Sequence, residues 1–99
     1  MEPHKELREA VKLIEKHGWC RYQPFDPRTG AMLSGACAKA RCGDIDAGPS
    51  DEAFVVLRSL FDRAPWWIND YVLDSKEEAI AYLNLGADLA TPTTYKEKK

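Results

Sequence analysis

The sequence predicts a mainly α fold with a minor β element (α+β): about four short helices, with a small irregular β-hairpin between the first and the second. Three observations carry this. Apolar residues recur with helical period near the N-terminus, serines precede two later apolar runs, and Pro24, Pro27 and Gly30 break the segment between the first two helices.

The first helix rests on KELREAVKLIEKHG, where Leu7, Ala10, Val11 and Ile14 fall at i, i+3, i+4 and i+7 and Glu and Lys occupy the other face. Gly18 supplies the left-handed residue that stops a helix, so the end is expected near His17. The block DPRTG then reads as a turn, with Pro27 presetting one backbone angle and Gly30 able to adopt a positive one. Aromatic residues before it and apolar ones after it predict a hairpin pairing Trp19–Gln23 with Ala31–Ser34. The small-residue run GACAKAR predicts a second helix from Gly35 to Arg41.

Ser50 caps the third helix, with Asp51 and Glu52 in a first turn where the helix dipole favours negative charge. Its apolar stripe is Phe54, Leu57, Phe61 and Ala64, widened by Val56 and Leu60, and Pro65 is expected to end it. The last helix opens with SKEE. Ser75 and Glu78 have the spacing of a capping box, and the apolar face is Ala79, Ile80, Leu83 and Ala87.

The order of these signals resembles a family of short proteins from actinobacteria and their phages known only as a domain of unknown function. The likeness lies in LREAVKLIEKHGW, in GACAKARCGD and in WINDYVLDSKEEAIAYL, a pattern of Gly-Trp, then Gly-Ala, then Trp-x-Asn-Asp. It covers about 80 of the 99 residues. The family's Cys before the Gly-Ala pair has no counterpart in AMLSGA, where Cys37 follows instead. The resemblance implies a fold and an origin, and it transfers no chemistry.

Length and composition narrow the classes. At 99 residues, 44% of them hydrophobic and 30% charged, the chain is expected to form a single domain over 1–90 followed by a flexible basic tail, 91–99. No apolar run approaches the roughly 18–20 residues a membrane span requires, and MEPHKELREA has no apolar block of signal-peptide type. A cytoplasmic location is therefore expected, with Cys20, Cys37 and Cys42 as reduced thiols. The tail's Lys96, Lys98 and Lys99 against Glu97 make a net +2, which leaves −4 on the body of a chain whose total is −2. An acidic body disfavours nucleic acid, although Arg21, Tyr22, Phe25 and Arg28 interleave cations with stacking surfaces.

Sites for chemistry are few. His17, Cys20, Cys37 and Cys42 form His-x2-Cys and Cys-x4-Cys pairs with donors soft enough for zinc. Two residues five apart on one helix, as Cys37 and Cys42 would be, point ~140° away from each other. Buried or incidental thiols are the preferred reading, and a zinc-binding or thiol-dependent protein is the alternative. A Cys-His nucleophile pair lacks any evident oxyanion-stabilising loop. In GDIDAGPSDE, Val55 stands where a calcium loop of EF-hand type needs its bidentate Glu, and capping accounts for Ser50, Asp51 and Glu52. No catalytic constellation and no cofactor are expected.

The aromatics remain. In APWWINDY, read as non-helical, one of Trp66 and Trp67 is expected inside and the other partly exposed, with Asn69 and Asp70 turning the chain toward Ser75. Exposed Trp and Tyr are favoured central contacts in protein interfaces. The expected function is a noncatalytic interaction module, such as a phage or mobile-element accessory factor that binds and modulates a host protein, or that pairs with itself as a homodimer. Trp66, Trp67 and Tyr71 would anchor the contact, with Asn69, Asp70, Arg21, Tyr22 and Arg28 around them.

Overall fold

In the computed structural model, which describes residues 2–21, 25–26, 30–44 and 47–91, five helices surround one core: α1 (Pro3–His17), α2 (Leu33–Cys42), α3 (Asp51–Phe61), α4 (Pro65–Tyr71) and α5 (Lys76–Ala90). The fold is mainly helical, as expected, but with five helices in place of four. Two strands, β1 (Phe25–Asp26) and β2 (Gly30–Ala31), pair antiparallel between α1 and α2. The predicted segments 22–24, 27–29 and 92–99, including Tyr22, Arg28 and most of the basic tail, lie outside the described residues.

α1 is the central element, packed along α5 and α2 and touching α3. The periodic residues Leu7, Ala10, Val11 and Ile14 are all buried, and Pro3 occupies the first turn, where its missing N–H costs nothing. Gly18 ends the helix at positive φ, and its amide donates to Ile14 O at 2.7 Å. The charged face holds one exception. Glu6 is fully buried and accepts from Ser50 N at 2.9 Å, with the Arg41 Nε 3.9 Å from the same carboxylate oxygen. Arg41 in turn donates to Gly48 O at 2.9 Å, so a carboxylate from α1 and a guanidinium from α2 anchor the segment that leads into α3.

The strand pairing is smaller than predicted and shifted. Phe25 faces Ala31 and Asp26 faces Gly30, while Trp19 makes only an isolated bridge to Ala31. Leu33 and Ser34, assigned to the hairpin from sequence, already belong to α2. The backbone crosses itself closely here: a Cβ at Gly30, whose φ is +111°, would come within 2.5 Å of Gly18 C. Only two glycines allow that approach.

Ser50 caps α3 as predicted, accepting from Ala53 N at 3.2 Å. The helix ends on left-handed Asp62 at Phe61, not at Pro65. Pro65 instead starts α4, so WWINDY is helical, contrary to the sequence reading. Proline suits either role, since its fixed φ suits the first turn of a new helix as well as the residue beyond an old one. Of the predicted α3 stripe, Leu57 is buried, but Phe61 is more than half exposed.

α5 is capped by Ser75 Oγ, which accepts from Glu78 N at 3.1 Å. The reciprocal arm lands one residue earlier than a capping box would place it, with Glu78 Oε1 accepting from Asp74 N at 2.8 Å. Ala79, Leu83 and Ala87 face the core, and Gly86 lets α3 and α1 approach: a Cβ there would sit 2.8 Å from Leu57 Cδ2 and 3.3 Å from Leu7 Cδ1.

Candidate functional site

α4 sorts the WWINDY residues onto different sides. Pro65, Ile68, Asn69 and Asp70 are buried, whereas Trp66 and Tyr71 are 51% and 61% exposed. Trp67 is partly buried against the core, its ring 5.4 Å from Tyr71 at an interplanar angle of 48° and its face covered by the Arg63 guanidinium at 5.0 Å. Trp67 thus has packing and a cation on it, and Trp66 and Tyr71 present ring surface to solvent. Trp66 and Tyr71, five residues apart, point roughly 140° from each other, with Trp67 between them.

Asn69, expected at the contact face, is instead an internal junction. Its Oδ1 accepts from Trp19 Nε1 at 2.6 Å and from Leu33 N at 3.0 Å, and its Nδ2 donates to Cys20 O at 3.1 Å and to Asp70 Oδ1 at 3.0 Å. An amide has two donors and two acceptor lone pairs, and all four are used. Met32, the N-cap residue of α2, gives no side-chain bond, so Asn69 caps that helix from a different one. The Gly-Trp and Trp-x-Asn-Asp segments of the sequence therefore meet at one buried side chain.

Arg21 lies 5.3 Å over Trp19 and donates to Leu73 O at 2.5 Å and to Asp74 Oδ1 at 3.3 Å. It straps the α4–α5 connection to the end of α1, so much of its bonding capacity is already used inside the chain.

The structure does not gather His17, Cys20, Cys37 and Cys42 into one cluster. Cys37 is buried, Cys42 is exposed and Cys20 lies between those extremes, and none is in a disulfide. Among the described residues, no three His, Cys, Asp or Glu side chains come together as a metal-binding group. Burial holds the Cys37 thiol far above its ordinary range, the Glu6 carboxylate adds to that and Arg41 opposes it. A thiol held protonated is a poor nucleophile and a poor ligand.

Sequence reasoning missed a second surface. An open apolar groove of about 450 Å³ runs between the end of α3, the α4–α5 connection and α5. Phe61 and Tyr82, with ring centroids 5.6 Å apart, line it with Val72, Ala81 and Leu85, and Asp74 and Glu78 add carboxylates. The Tyr82 hydroxyl donates to Leu57 O beneath. The signal was present in α5, where Ala81, Leu85 and Leu89 recur every four residues opposite the core stripe Ala79, Leu83 and Ala87. Among the described residues, the large apolar side chains that are exposed fall within α3, α4, α5 and their connections, and none lies on α1 or α2.

Among the described residues, no helix is long and apolar enough to cross a membrane. No curated protein and no solved structure matches the chain. Over residues 1–89, nearly the whole of the described fold, the sequence matches a family defined only by its members' likeness, and the chain belongs to that family of unknown function, DUF6197.

Proposed function

We propose that the protein is a noncatalytic interaction module that docks a protein partner on the aromatic face of α4. The observation that carries this reading is the pair of exposed rings, Trp66 and Tyr71, on either side of a Trp67 immobilised by Arg63 and Tyr71. Rigid aromatic side chains lose little entropy on binding and supply large contact area, which is why they dominate interface energetics. The buried Asn69 network supports the reading indirectly, because it fixes the helix that presents the rings. Occlusion of a partner's surface is the simplest mechanism, and an accessory factor of phage or mobile-element type that modulates a host protein would act in this way.

The test separates contact from folding. Trp66→Ala should leave stability within about 1 kcal/mol of wild type, because half the ring is already in water, whereas Trp67→Ala should cost roughly 3 kcal/mol as a partly buried aromatic truncation. Affinity capture with the wild type, Trp66→Ala and Tyr71→Ala should yield a partner that both folded variants lose. A partner set unchanged by either substitution would sink the proposal.

A further inference from the structure

The groove beside α5 has a property that the α4 face lacks: it is complementary to its own surroundings. On the outward stripe of α5, Ala81 lines the groove together with Phe61, Val72 and Tyr82, and Leu89, about two turns further along the helix, is exposed. Leu85 sits midway between them. A two-fold axis through Leu85 therefore sets Leu85 against its own copy, and lays Leu89 of each helix over Ala81 of the other. Small opposite large on an antiparallel helix pair is knob-into-hole packing, and the residues at ±4 from the axis supply both halves.

Charge selects the same arrangement. The start of α5 is acidic, with Glu77 and Glu78 in its first turn and Asp74 just before it. A parallel pair would bring these acidic ends together. The antiparallel pair instead keeps the two acidic starts at opposite ends of the contact.

We propose that the groove is filled by a second copy of this chain, in an antiparallel α5–α5 homodimer centred on Leu85. A contact along a 15-residue helix, flanked by Phe61 and Val72, buries on the order of 500 Å² per copy, or about 1,000 Å² in total. That is the lower limit for a specific interface, the size class of weak and transient contacts, so association is expected only at micromolar concentrations and above. This surface is separate from the α4 rings, and the inference does not rest on the function proposed above.

Sedimentation equilibrium of the full chain from about 5 to 500 µM tests it, a range that covers micromolar association. The wild type should pass from monomer to dimer with concentration. Leu85→Glu should weaken association at least ~30-fold, because two carboxylates would face each other across the axis, while far-UV circular dichroism stays unchanged. Val55→Glu, an exposed apolar position on α3 that does not line the groove, should dimerise like the wild type, as should Trp66→Ala and Tyr71→Ala. Ala81→Lys and Leu89→Glu should each weaken the dimer, and an equimolar mixture of the two should recover part of the loss. A wild type that stays monomeric throughout would overturn the proposal and leave the groove to a partner of another kind. A dimer indifferent to Leu85→Glu, or a mixture no better than either variant alone, would overturn it as well.

Discussion

Asn69→Ala isolates the buried amide that joins four parts of the chain. The substitution removes the acceptor of the Trp19 indole N–H at 2.6 Å and of the Leu33 amide at 3.0 Å, together with one hydrogen bond to the Cys20 carbonyl at 3.1 Å. Each buried polar group left without a partner costs about 1–3 kcal/mol, but Trp19 and Cys20 are only partly buried, so water recovers some of that. A net loss of roughly 3–5 kcal/mol follows, against the ~5–15 kcal/mol available to a domain of this size. The melting temperature should fall by roughly 15–25 °C. Urea unfolding followed by circular dichroism and by Trp fluorescence measures it, with Trp19→Phe as the partner for a double-mutant cycle. Trp19→Phe alone removes one of the four bonds and should cost about 1 kcal/mol, and the double variant should cost less than the sum. Asn69→Asp keeps both acceptor contacts but loses the donor to Cys20 O and sets a second carboxylate against Asp70, so its deficit should shrink as pH is lowered. An Asn69→Ala loss below about 1 kcal/mol would refute the view that this junction holds α4 to α2.

Two further outcomes follow from packing and titration. Gly86→Ala should destabilise by about 1–2 kcal/mol in urea unfolding, because the clash with Leu57 and Leu7 in a filled core outweighs the ~1 kcal/mol by which Ala favours a helix over Gly. A stabilised Gly86→Ala would show that α3 can move away freely. At high pH, burial holds the Cys37 thiol above its ordinary 9.0, and burial together with Cys37 holds the Tyr82 phenol above its ordinary 10.0. Both groups are raised in the folded state, so their contribution is fully present below pH 9 and is lost as pH rises above 9 and then 10 toward the folded values, at up to ~1.4 kcal/mol per pH unit for each group. Cys37→Ala should remove the earlier onset. Thiol alkylation at neutral pH should modify exposed Cys42 first and Cys37 only on unfolding; rapid native modification of Cys37 would contradict its burial.

The parts of the fold readable along the chain are those governed by neighbours a few residues away. The α1 stripe, the Gly18 stop and the Ser50 and Ser75 caps depend on helical period and on side chains that reach the adjacent turn. Where one residue admits two local solutions, the chain alone did not choose. Pro65 can follow one helix or begin the next, and the left-handed turn at Asp62 decides for the second. Glu6 reads as part of a solvated face, because the groups that make its burial tolerable, Ser50 N and Arg41, come from elements far along the chain.

The candidate site divides in the same way. Composition and the density of aromatics in APWWINDY located the α4 surface, and they placed Asn69 and Asp70 in it as well. Only the packed structure separates Trp66 and Tyr71, which reach solvent, from Asn69, which is consumed by Trp19, Cys20 and Leu33. α5 carries two opposed apolar stripes of almost equal hydrophobicity. Sequence periodicity reveals both, but α1 and α3 cover one side only, and among the described residues no further helix packs on the other. Burial is a competition among distant surfaces for a small interior, so tertiary packing, and not local pattern, decided that Ala79, Leu83 and Ala87 became core while Ala81, Leu85 and Leu89 were left facing outward.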